Sequence, residues 1–355
     1  MAFLFSQKTH RDLRKSEIDQ MRDEQKHTRR AVAPELEKIL YEELPVLDRG
    51  FIRVIDYMGN DAAIVQAARV SYGKGTKKVN DDRGLIRYLM RHHHTTPFEM
   101  CEIKLHVKLP IFVARQWVRH RTANINEYSA RYSILDNEFY VPDAEYLEAL
   151  REEQMLEKNE EEGQKDLFGK TKEARLSETA AQSTKNKQGR DRVLSPSEAD
   201  QVLRTIRRSG EYAYEKYQEL LNERDGKKID DEKLGLAREL ARIVLPTNFY
   251  TQWYWKIDLY NLMHFLSLRA DSHAQYEMRA YAERILEIVH KWVPAAAQAF
   301  EDFNRGSASL SADALRVVKR LIAGQPVDQA ESGLSKREWA ELMATLGQGN
   351  RVKGS

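Results

Sequence analysis

A strict alternation of apolar and polar residues between Cys101 and Leu109 constrains the fold of this chain more than any other feature. The apolar members, which share one side, are Cys101, Ile103, Leu105, Val107 and Leu109. The polar members between them are Glu102, Lys104, His106 and Lys108. A period of two is typical of a β-strand with one buried face, so this strand belongs to a sheet that is covered on that side. Pro110 ends the strand and suits the first turn of a helix over the following IFVARQWVRHR.

Other stretches predict the elements around this strand. Residues 50–59 are rich in β-branched and aromatic side chains and predict a first strand. Apolar residues at helical spacing predict helices over 61–73, with Asp61 as the cap, and over 81–94. The long aromatic-rich stretch 247–293 predicts two or three helical pieces.

Three segments differ in composition from the rest of the chain. Residues 1–47 form a polar N-terminal extension, and residues 305–355 form a C-terminal extension with a small amphipathic helical unit. Residues 150–198 are so charged and so poor in apolar side chains that burial cannot offset the entropy of ordering them. We therefore expect a mobile charged insertion within a main domain at 48–304.

Composition excludes several classes of protein. The formal net charge of +2 provides no bulk attraction to nucleic acid. Cys101 is the only cysteine, which rules out an intrachain disulfide and a cysteine-based zinc site and favours a reducing compartment. No apolar run approaches the roughly 20 residues that a membrane helix needs, and the N-terminal residues lack the order of a signal peptide. We expect a cytoplasmic protein with no membrane partner.

The stretch RHRTANINEYSARYS, residues 119–133, concentrates guanidinium, imidazole, amide and hydroxyl groups. Guanidinium groups suit phosphate or carboxylate through paired hydrogen bonds. Gln116, just before this stretch, can donate and accept, as a uracil-like edge requires. A solvated basic face is an alternative for Arg115 and Arg119 on the helix. An ion-pair role for Glu127 would explain the charges of the stretch but not its density of amides and hydroxyls.

The same residues resemble a family signature. Arg119-His120-Arg121, seven residues and then Ser129 resemble the signature of flavin-dependent thymidylate synthases, and Asn126-Glu127 supply the Asn-Glu of its extended form. Further blocks similar to the family occur in the same order, namely SYG, TTPFE, ARQWVRHR, ARIVLP and HFLSLRADSHAQ. They span roughly residues 48–142 and 202–300. The resemblance implies an α+β fold with a central sheet flanked by helices, and a catalytic domain at 48–304.

The resemblance also implies a reaction, the reductive methylation of dUMP to dTMP. Methylenetetrahydrofolate would donate the carbon, NADPH would be the reductant, and FAD would carry the hydride, so no cysteine nucleophile is needed. The family pattern further implies a homotetramer with active sites shared between subunits. A nucleotide- or nucleic-acid-binding module that uses the Arg-rich stretch without redox chemistry is the alternative.

The resemblance assigns roles to individual positions. The substrate-binding positions are Gln116, Arg119, Glu127, Tyr128, Ser129, Ala130, Arg131, Arg242 and Arg269. The cofactor-binding positions are Ser71, Thr96, Glu99, Arg119, His120, Arg121, Glu127, Asp258, Leu259, Tyr260 and His264. Ser129 and Arg269 would be catalytic, with Arg269 stabilising negative charge on the pyrimidine as N3 loses its proton. Structural ion pairs with Glu239 or Asp271 are the alternative for Arg242 and Arg269.

Two patterns suggest sites that we do not predict. His92–His94 resembles a metal-binding run, but adjacent helical residues point about 100° apart, so no metal site is expected there. The aromatic stretch could stack on single-stranded nucleic acid, but a helical spacing of Phe249, Trp253 and Tyr260 favours packing. We expect His273 to be a buried, hydrogen-bonded histidine.

Overall fold

A computed structural model of the chain describes residues 27–70, 79–142, 180–182, 190–193, 196–271 and 273–347. The described residues divide into two compact units, one that ends at Phe300 and one that begins at Glu301. Ser71, a predicted flavin contact, lies outside the described residues. So does most of the predicted insertion at 150–198, of which the structure describes two short strands and the start of a helix.

The first unit is built on an antiparallel sheet. The strands of this unit are β1 (Leu44–Val46), β2 (Gly50–Met58), β3 (Glu102–Pro110), β4 (Asn124–Glu127), β5 (Ala180–Gln182), β6 (Arg190–Val193), β7 (Glu223–Arg224), β8 (Lys227–Lys228) and β9 (Tyr250–Asp258). Five of these strands pair in the order β1, β2, β3, β9, β4, each antiparallel to its neighbour. The chain thus returns late to place β9 between β3 and β4, while β5 pairs with β6 and β7 with β8.

The described residues of the first unit also form helices that accompany this sheet. They are α1 (Pro34–Glu37), α2 (Asp61–Val70), α3 (Val79–Arg91), α4 (Thr96–Glu99), α5 (Ile111–Trp117), α6 (Pro196–Leu221), α7 (Arg238–Ala241), α8 (Leu259–Arg269), α9 (Tyr276–Trp292) and α10 (Pro294–Phe300), with a 3-10 turn at Arg242–Val244. The α+β architecture with a central sheet and flanking helices is therefore confirmed. None of the helices formed by the described residues is long and apolar enough to span a bilayer.

The alternating strand predicted from the sequence is confirmed as β3. All of its alternate apolar side chains, from Cys101 to Leu109, are at most 1% exposed. Across the pairing with β9, Leu105 lies opposite Trp255 and Val107 lies opposite Trp253. The same buried face therefore continues onto β9 and carries aromatic side chains toward the helices.

The prediction of helix for the whole aromatic stretch is wrong at its start, because residues 250–258 form β9. Trp253, Trp255 and Ile257 are almost fully buried, whereas Tyr254 between them is 44% exposed. Bulky aromatic side chains fit a pleated, half-buried surface, which is why the stretch forms a central strand. The rest of the stretch forms α8 and α9, as predicted.

An aromatic core fixes the ends of α5 and α8 against the sheet. The ring of Trp117, the last residue of α5, lies 5.0 Å from that of Trp255 on β9 and 4.9 Å from that of Phe265 on α8. All three side chains are fully buried. The residues that directly follow α5, and those along the second half of α8, are therefore held in fixed positions.

The start of the first unit differs from the prediction in two ways. Residues 34–46, assigned to the polar extension, include α1 and the sheet strand β1, and Leu36 is fully buried. Asn60, rather than Asp61, caps α2, because its side-chain oxygen accepts from the backbone N–H groups of Ala62 and Ala63. The carboxylate of Asp61 instead caps α10.

The second unit is a small helical module. After a π-helical turn at Glu301–Arg305 it contains α11 (Ala312–Ile322), α12 (Gln329–Ser332) and α13 (Lys336–Thr345). Ser311 caps α11, and Ser335 forms a capping box with Glu338 at the start of α13. The module has its own apolar core of Ala314, Val317, Leu334, Trp339, Leu342 and Met343. The amphipathic helices predicted for this region are confirmed.

Candidate active site

Many of the predicted site residues of the first unit belong to one of two groups. The Arg269 cluster consists of His120, His264 and Arg269 and lies where the residues after α5 meet α8. The Ser129 loop consists of residues 127–131, from the end of β4 onward. Among the described residues, no hydrogen bond or ion pair joins the loop to the cluster.

The Arg269 cluster is held together by one hydrogen bond. Nε of Arg269 donates to Nε2 of His120 across 3.0 Å. The His120 ring also contacts the Phe265 ring, with centroids 4.9 Å apart, and faces the His264 ring at 6.2 Å. Both Arg269 and His120 are half-buried. The hydrogen bond at Nε holds the Arg269 guanidinium in place. Its two terminal nitrogens make no hydrogen bond to the described part of the chain.

The electrostatics of the cluster keep His120 neutral. Burial first, and then the charge of Arg269 and the neighbouring His264, lower the pKa of His120 from 6.5 to about 4. Burial also lowers the pKa of Arg269. A neutral imidazole can accept from Arg269 only through an unprotonated Nε2, so the ring proton sits on Nδ1.

Gln116 on α5 is engaged by residues to which the sequence assigned no role. Its Nε2 donates to Oε1 of Gln275, the residue just before α9. Nε2 of Gln275 in turn donates to Oε2 of Glu277 at 2.8 Å. The sequence does not indicate this contact, because Gln275 lies 159 positions away from Gln116 along the chain.

The predicted flavin contacts on α4 and α8 lie on adjacent elements, since the two helices pack together. Tyr260 and His264, four residues apart on α8, are exposed on one helical face, and Thr96 at the start of α4 is exposed too. Leu259 differs, because its side chain is fully buried and its backbone N–H donates to the carbonyl of Cys101. A cofactor could reach only the backbone at that position.

Asp258 and Glu99 lie at the edges of this surface and are only partly exposed. The Asp258 side chain caps α8, accepting from the backbone N–H of Asn261 at 2.9 Å and from its side-chain amide at 2.7 Å. This N-terminal capping explains the carboxylate at position 258 without any reference to a cofactor.

The Ser129 loop is a tight turn tied to the sheet. The Ser129 carbonyl accepts from the backbone N–H groups of Tyr132 and Ser133, and its hydroxyl accepts from the N–H of Arg131 at 3.3 Å. Tyr128 N–H donates to the Gln252 carbonyl at 2.8 Å, which anchors the loop to β9.

Two predicted substrate contacts in this loop, Ala130 and Glu127, are restricted by their surroundings in the protein. Ala130 is buried, so only its backbone can face a ligand. The carboxylate of Glu127 accepts from the hydroxyl of Thr251 at 2.7 Å. Glu127 nevertheless remains largely exposed and retains its second carboxylate oxygen for another group.

Arg119, Arg121 and Arg131 are exposed arginines whose guanidinium groups make no hydrogen bond or ion pair with the described residues. The guanidinium carbon of Arg131 lies 5.5 Å from the centroid of the Tyr132 ring. Arginines that the chain itself leaves without an acidic partner can bind phosphate groups.

Arg242 lies in the 3-10 turn that directly follows α7 and is not part of the Arg269 cluster. Its Nε donates to the backbone carbonyl of Glu239 at 3.2 Å, not to the carboxylate considered as an alternative. Burial is the main cause that raises the pKa of Tyr217, and both Arg242 and Tyr128 lie close enough to shift it electrostatically. Arg238 on α7 donates to the carbonyl of Tyr132 at 2.6 Å, so the segment that leads to Arg242 contacts the chain just after the Ser129 loop.

The structure does not support a catalytic or metal-binding role for the remaining candidates among the described residues. His273 is not buried as expected: its side chain is 93% exposed and contacts Asp271. Cys101 is buried and its pKa is raised to about 12, so it is an unreactive thiol. His92–His94 follow the end of α3, and no group of three or more His, Cys, Asp or Glu residues in the described ranges is arranged to hold a metal ion.

Comparison with known proteins gives a consistent result. The sequence profile of the family described as thymidylate synthase complementing protein matches residues 53–295. The flavin-dependent thymidylate synthase of Gluconobacter oxydans is 54% identical over 332 residues, which cover 94% of this chain and 96% of the relative. The enzyme of the same name from Ruegeria pomeroyi is 53% identical over 333 residues, covering 94% and 97%.

Solved structures agree with the sequence relatives. The UMP/dUMP methylase PolB from Streptomyces cacaoi, bound with 5-Br dUMP, aligns with a TM-score of 0.55 and 32% identity. The alignment covers 74% of this chain and 99% of PolB. Together with the match over 53–295, these relatives establish that the chain belongs to the flavin-dependent thymidylate synthase family.

Proposed function

We propose that this chain catalyses the reductive methylation of dUMP to dTMP, with methylenetetrahydrofolate as carbon donor and NADPH as reductant. The observation that carries the proposal is a neutral His120 holding Arg269, in a chain whose Arg119, Arg121 and Arg131 have no acidic partner among the described residues. A nucleic-acid-binding module has no support from the relatives. Because the substrates belong to nucleotide and folate metabolism, we place the reaction in the cytoplasm.

The side chains on α4, α8 and the turn after α5 fit FAD. Arg119 and Arg121 offer charge-assisted donors for its phosphates. His120 and His264 offer ring nitrogens, and Thr96 offers a hydroxyl. When bound, FAD supplies the hydride-transfer chemistry that no amino-acid side chain can provide. The protein's own contribution is to bind, orient and polarise.

Arg269 would act on the pyrimidine. Its Nε is occupied by His120, so the guanidinium fork of Nη1 and Nη2 is the part that can meet a ligand. Positive charge placed next to the ring stabilises the negative charge that develops when N3 loses its proton, and this charge makes C5 a better carbon nucleophile. Half-burial strengthens this interaction because fewer water molecules screen it.

The Ser129 loop would hold the nucleotide phosphate. Arg131 contributes a guanidinium that has no acidic partner among the described residues, and the Ser129 hydroxyl can donate its own proton while it accepts from the Arg131 N–H. Arg242 would add a second cation, since it follows α7, whose Arg238 bonds the Tyr132 carbonyl just after this loop. Ser129 is thus assigned a role in binding and orientation.

We also propose that a homotetramer completes the site. In one copy of the chain, no bond among the described residues joins the Ser129 loop to the Arg269 cluster. The residues that directly follow Arg131 and Arg242 in the chain are large and exposed, since Tyr132 is 74% exposed and Ile243 is 82% exposed. Exposed apolar surface of this kind favours a protein interface, and a second copy could bring its own cluster to this loop.

One experiment tests the reaction. Protein purified in native form is expected to show a flavin absorption band and to produce dTMP only when dUMP, methylenetetrahydrofolate and NADPH are all present. Omission of each substrate in turn provides the control. Colourless protein that takes up no added FAD and forms no dTMP would contradict the proposal, and sedimentation analysis tests the tetramer independently.

A further inference from the structure

A chain of hydrogen bonds runs from the buried interior to Gln116. It begins at Glu277 on α9, which is 2% exposed. Both of its carboxylate oxygens receive a donor, Oε1 from the hydroxyl of Tyr140 at 3.4 Å and Oε2 from Nε2 of Gln275 at 2.8 Å. A carboxylate can only accept hydrogen bonds, so Glu277 requires the amide nitrogen of Gln275 to face it.

This requirement on Gln275 also fixes the orientation of the Gln116 amide. With Nε2 of Gln275 directed to Glu277, its Oε1 is left to face Gln116, and an oxygen can only accept there. Gln116 must therefore present Nε2 to Gln275, which is the contact observed. Turning either amide by 180° would bring two acceptors or two donors together and lose a hydrogen bond at a half-buried position.

We propose that Gln275, held by Glu277, is a positioning residue that sets the amide orientation of Gln116 and thereby favours uracil over cytosine in the nucleotide. The proposal rests on the function proposed above, in which Gln116 contacts the substrate. Gln275 acts through Gln116 and does not itself touch the reacting atoms.

The discrimination follows from the polarity of the two bases. Uracil presents an N3–H donor beside carbonyl acceptors, whereas cytosine presents N3 as an acceptor beside an amino donor. A freely rotating glutamine amide can match either arrangement, because its oxygen and nitrogen can exchange places. An amide with Nε2 held by Gln275 offers one arrangement only, so the other base leaves a polar group unpaired.

Glu277→Gln provides the sharpest test, because glutamine is nearly isosteric and can either accept from or donate to Gln275. Both orientations of the Gln275 and Gln116 amides then become possible. We expect the ratio of dCMP to dUMP dissociation constants, measured by calorimetry on the flavin-loaded protein, to fall about tenfold, as the loss of one orienting hydrogen bond allows. The flavin content should stay unchanged.

Gln275→Met interrupts the same series of hydrogen bonds while it keeps a side chain of similar length. We expect it to raise KM for dUMP with little change in kcat at saturation, because orientation rather than chemistry is lost. The same substitution at exposed Gln298, which accepts from Arg83 on α3, is the matched control and should leave KM unchanged.

The outcomes separate the two proposals. Wild-type protein that binds neither nucleotide overturns the proposed function and the positioning role together. Wild-type protein that binds dUMP, beside a Glu277→Gln variant with an unchanged dCMP to dUMP ratio, overturns the positioning role alone. A Gln275→Met variant that retains flavin and has the wild-type KM also overturns it.

Discussion

Nε of Arg269 donates to Nε2 of His120 across 3.0 Å, and this hydrogen bond exists only while the imidazole is neutral. Burial, Arg269 and His264 together lower the pKa of His120 to about 4. The histidine of the family signature is therefore a neutral acceptor that orients an arginine. The two residues lie 149 positions apart, so tertiary packing alone brings them together.

The lowered pKa of His120 predicts a pH dependence of stability. Between about pH 6.5 and 4, the unfolded chain binds a proton at this residue and the folded chain does not. The free energy of unfolding should therefore fall as pH decreases through that window and should be independent of His120 above it. Denaturant unfolding of wild type and His120→Gln at several pH values measures the difference.

The variant should show a weaker dependence on pH than wild type across the window. The same substitution at exposed His94 is the control and should leave the wild-type profile unchanged. Profiles of wild type and His120→Gln that stay parallel from pH 6.5 to 4 would contradict the neutral, buried histidine.

Arg269→Ala should separate binding of the cofactor from turnover. The guanidinium is placed to stabilise charge that develops on the substrate, so we expect kcat to fall roughly 100- to 1,000-fold. Flavin content should be retained, because the predicted flavin contacts on α4 and α8 remain. Arg204→Ala, at an exposed arginine paired with Asp200 on α6, is the control. Undiminished turnover in Arg269→Ala would refute the role of this residue.

Cys101→Ala should leave turnover within about twofold of wild type. The thiol is fully buried, its Sγ lies 3.6 Å from the Asn60 carbonyl, and its pKa is raised to about 12, so it cannot act as a nucleophile near neutral pH. A thiol-modifying reagent should likewise spare the native enzyme. Loss of activity in a variant that still folds and retains flavin would show that a cysteine takes part in the reaction.

Periodic patterns of apolar residues correctly predicted several strands and helices. The alternation at 101–109 indicated β3, and the amphipathic pattern after residue 305 indicated the helical unit that contains α11 and α13. Residues 250–258 also alternate, but their aromatic residues were interpreted at helical spacing and the strand was missed. The signal was present in the alternation of Trp253 and Trp255 with polar neighbours.

The parts of the site that sequence could not supply depend on distant contacts. Motifs placed His120 and Arg269 among the candidate site residues, but not the hydrogen bond between them. Gln275 ends the family-like block HFLSLRADSHAQ, but neither that block nor the nearby Glu277 reveals the contact with the amide of Gln116. A charge pattern likewise cannot show that Arg242 bonds a backbone carbonyl instead of the carboxylate of Glu239.

The capping role of Asp61 predicts a measurable effect on stability. Its two carboxylate oxygens accept from the backbone N–H groups of Ala295 and Ala296, at 2.9 and 3.0 Å, where α10 begins. Asp61→Ala leaves both donors without this partner and should lower the free energy of unfolding by about 1–2 kcal/mol. Asp61→Asn should cost less, because one amide oxygen can still accept. Glu287→Ala, at an exposed carboxylate paired with Arg284, is the control. Equal stability of Asp61→Ala and Glu287→Ala in denaturant unfolding would show that this cap does not stabilise the helix.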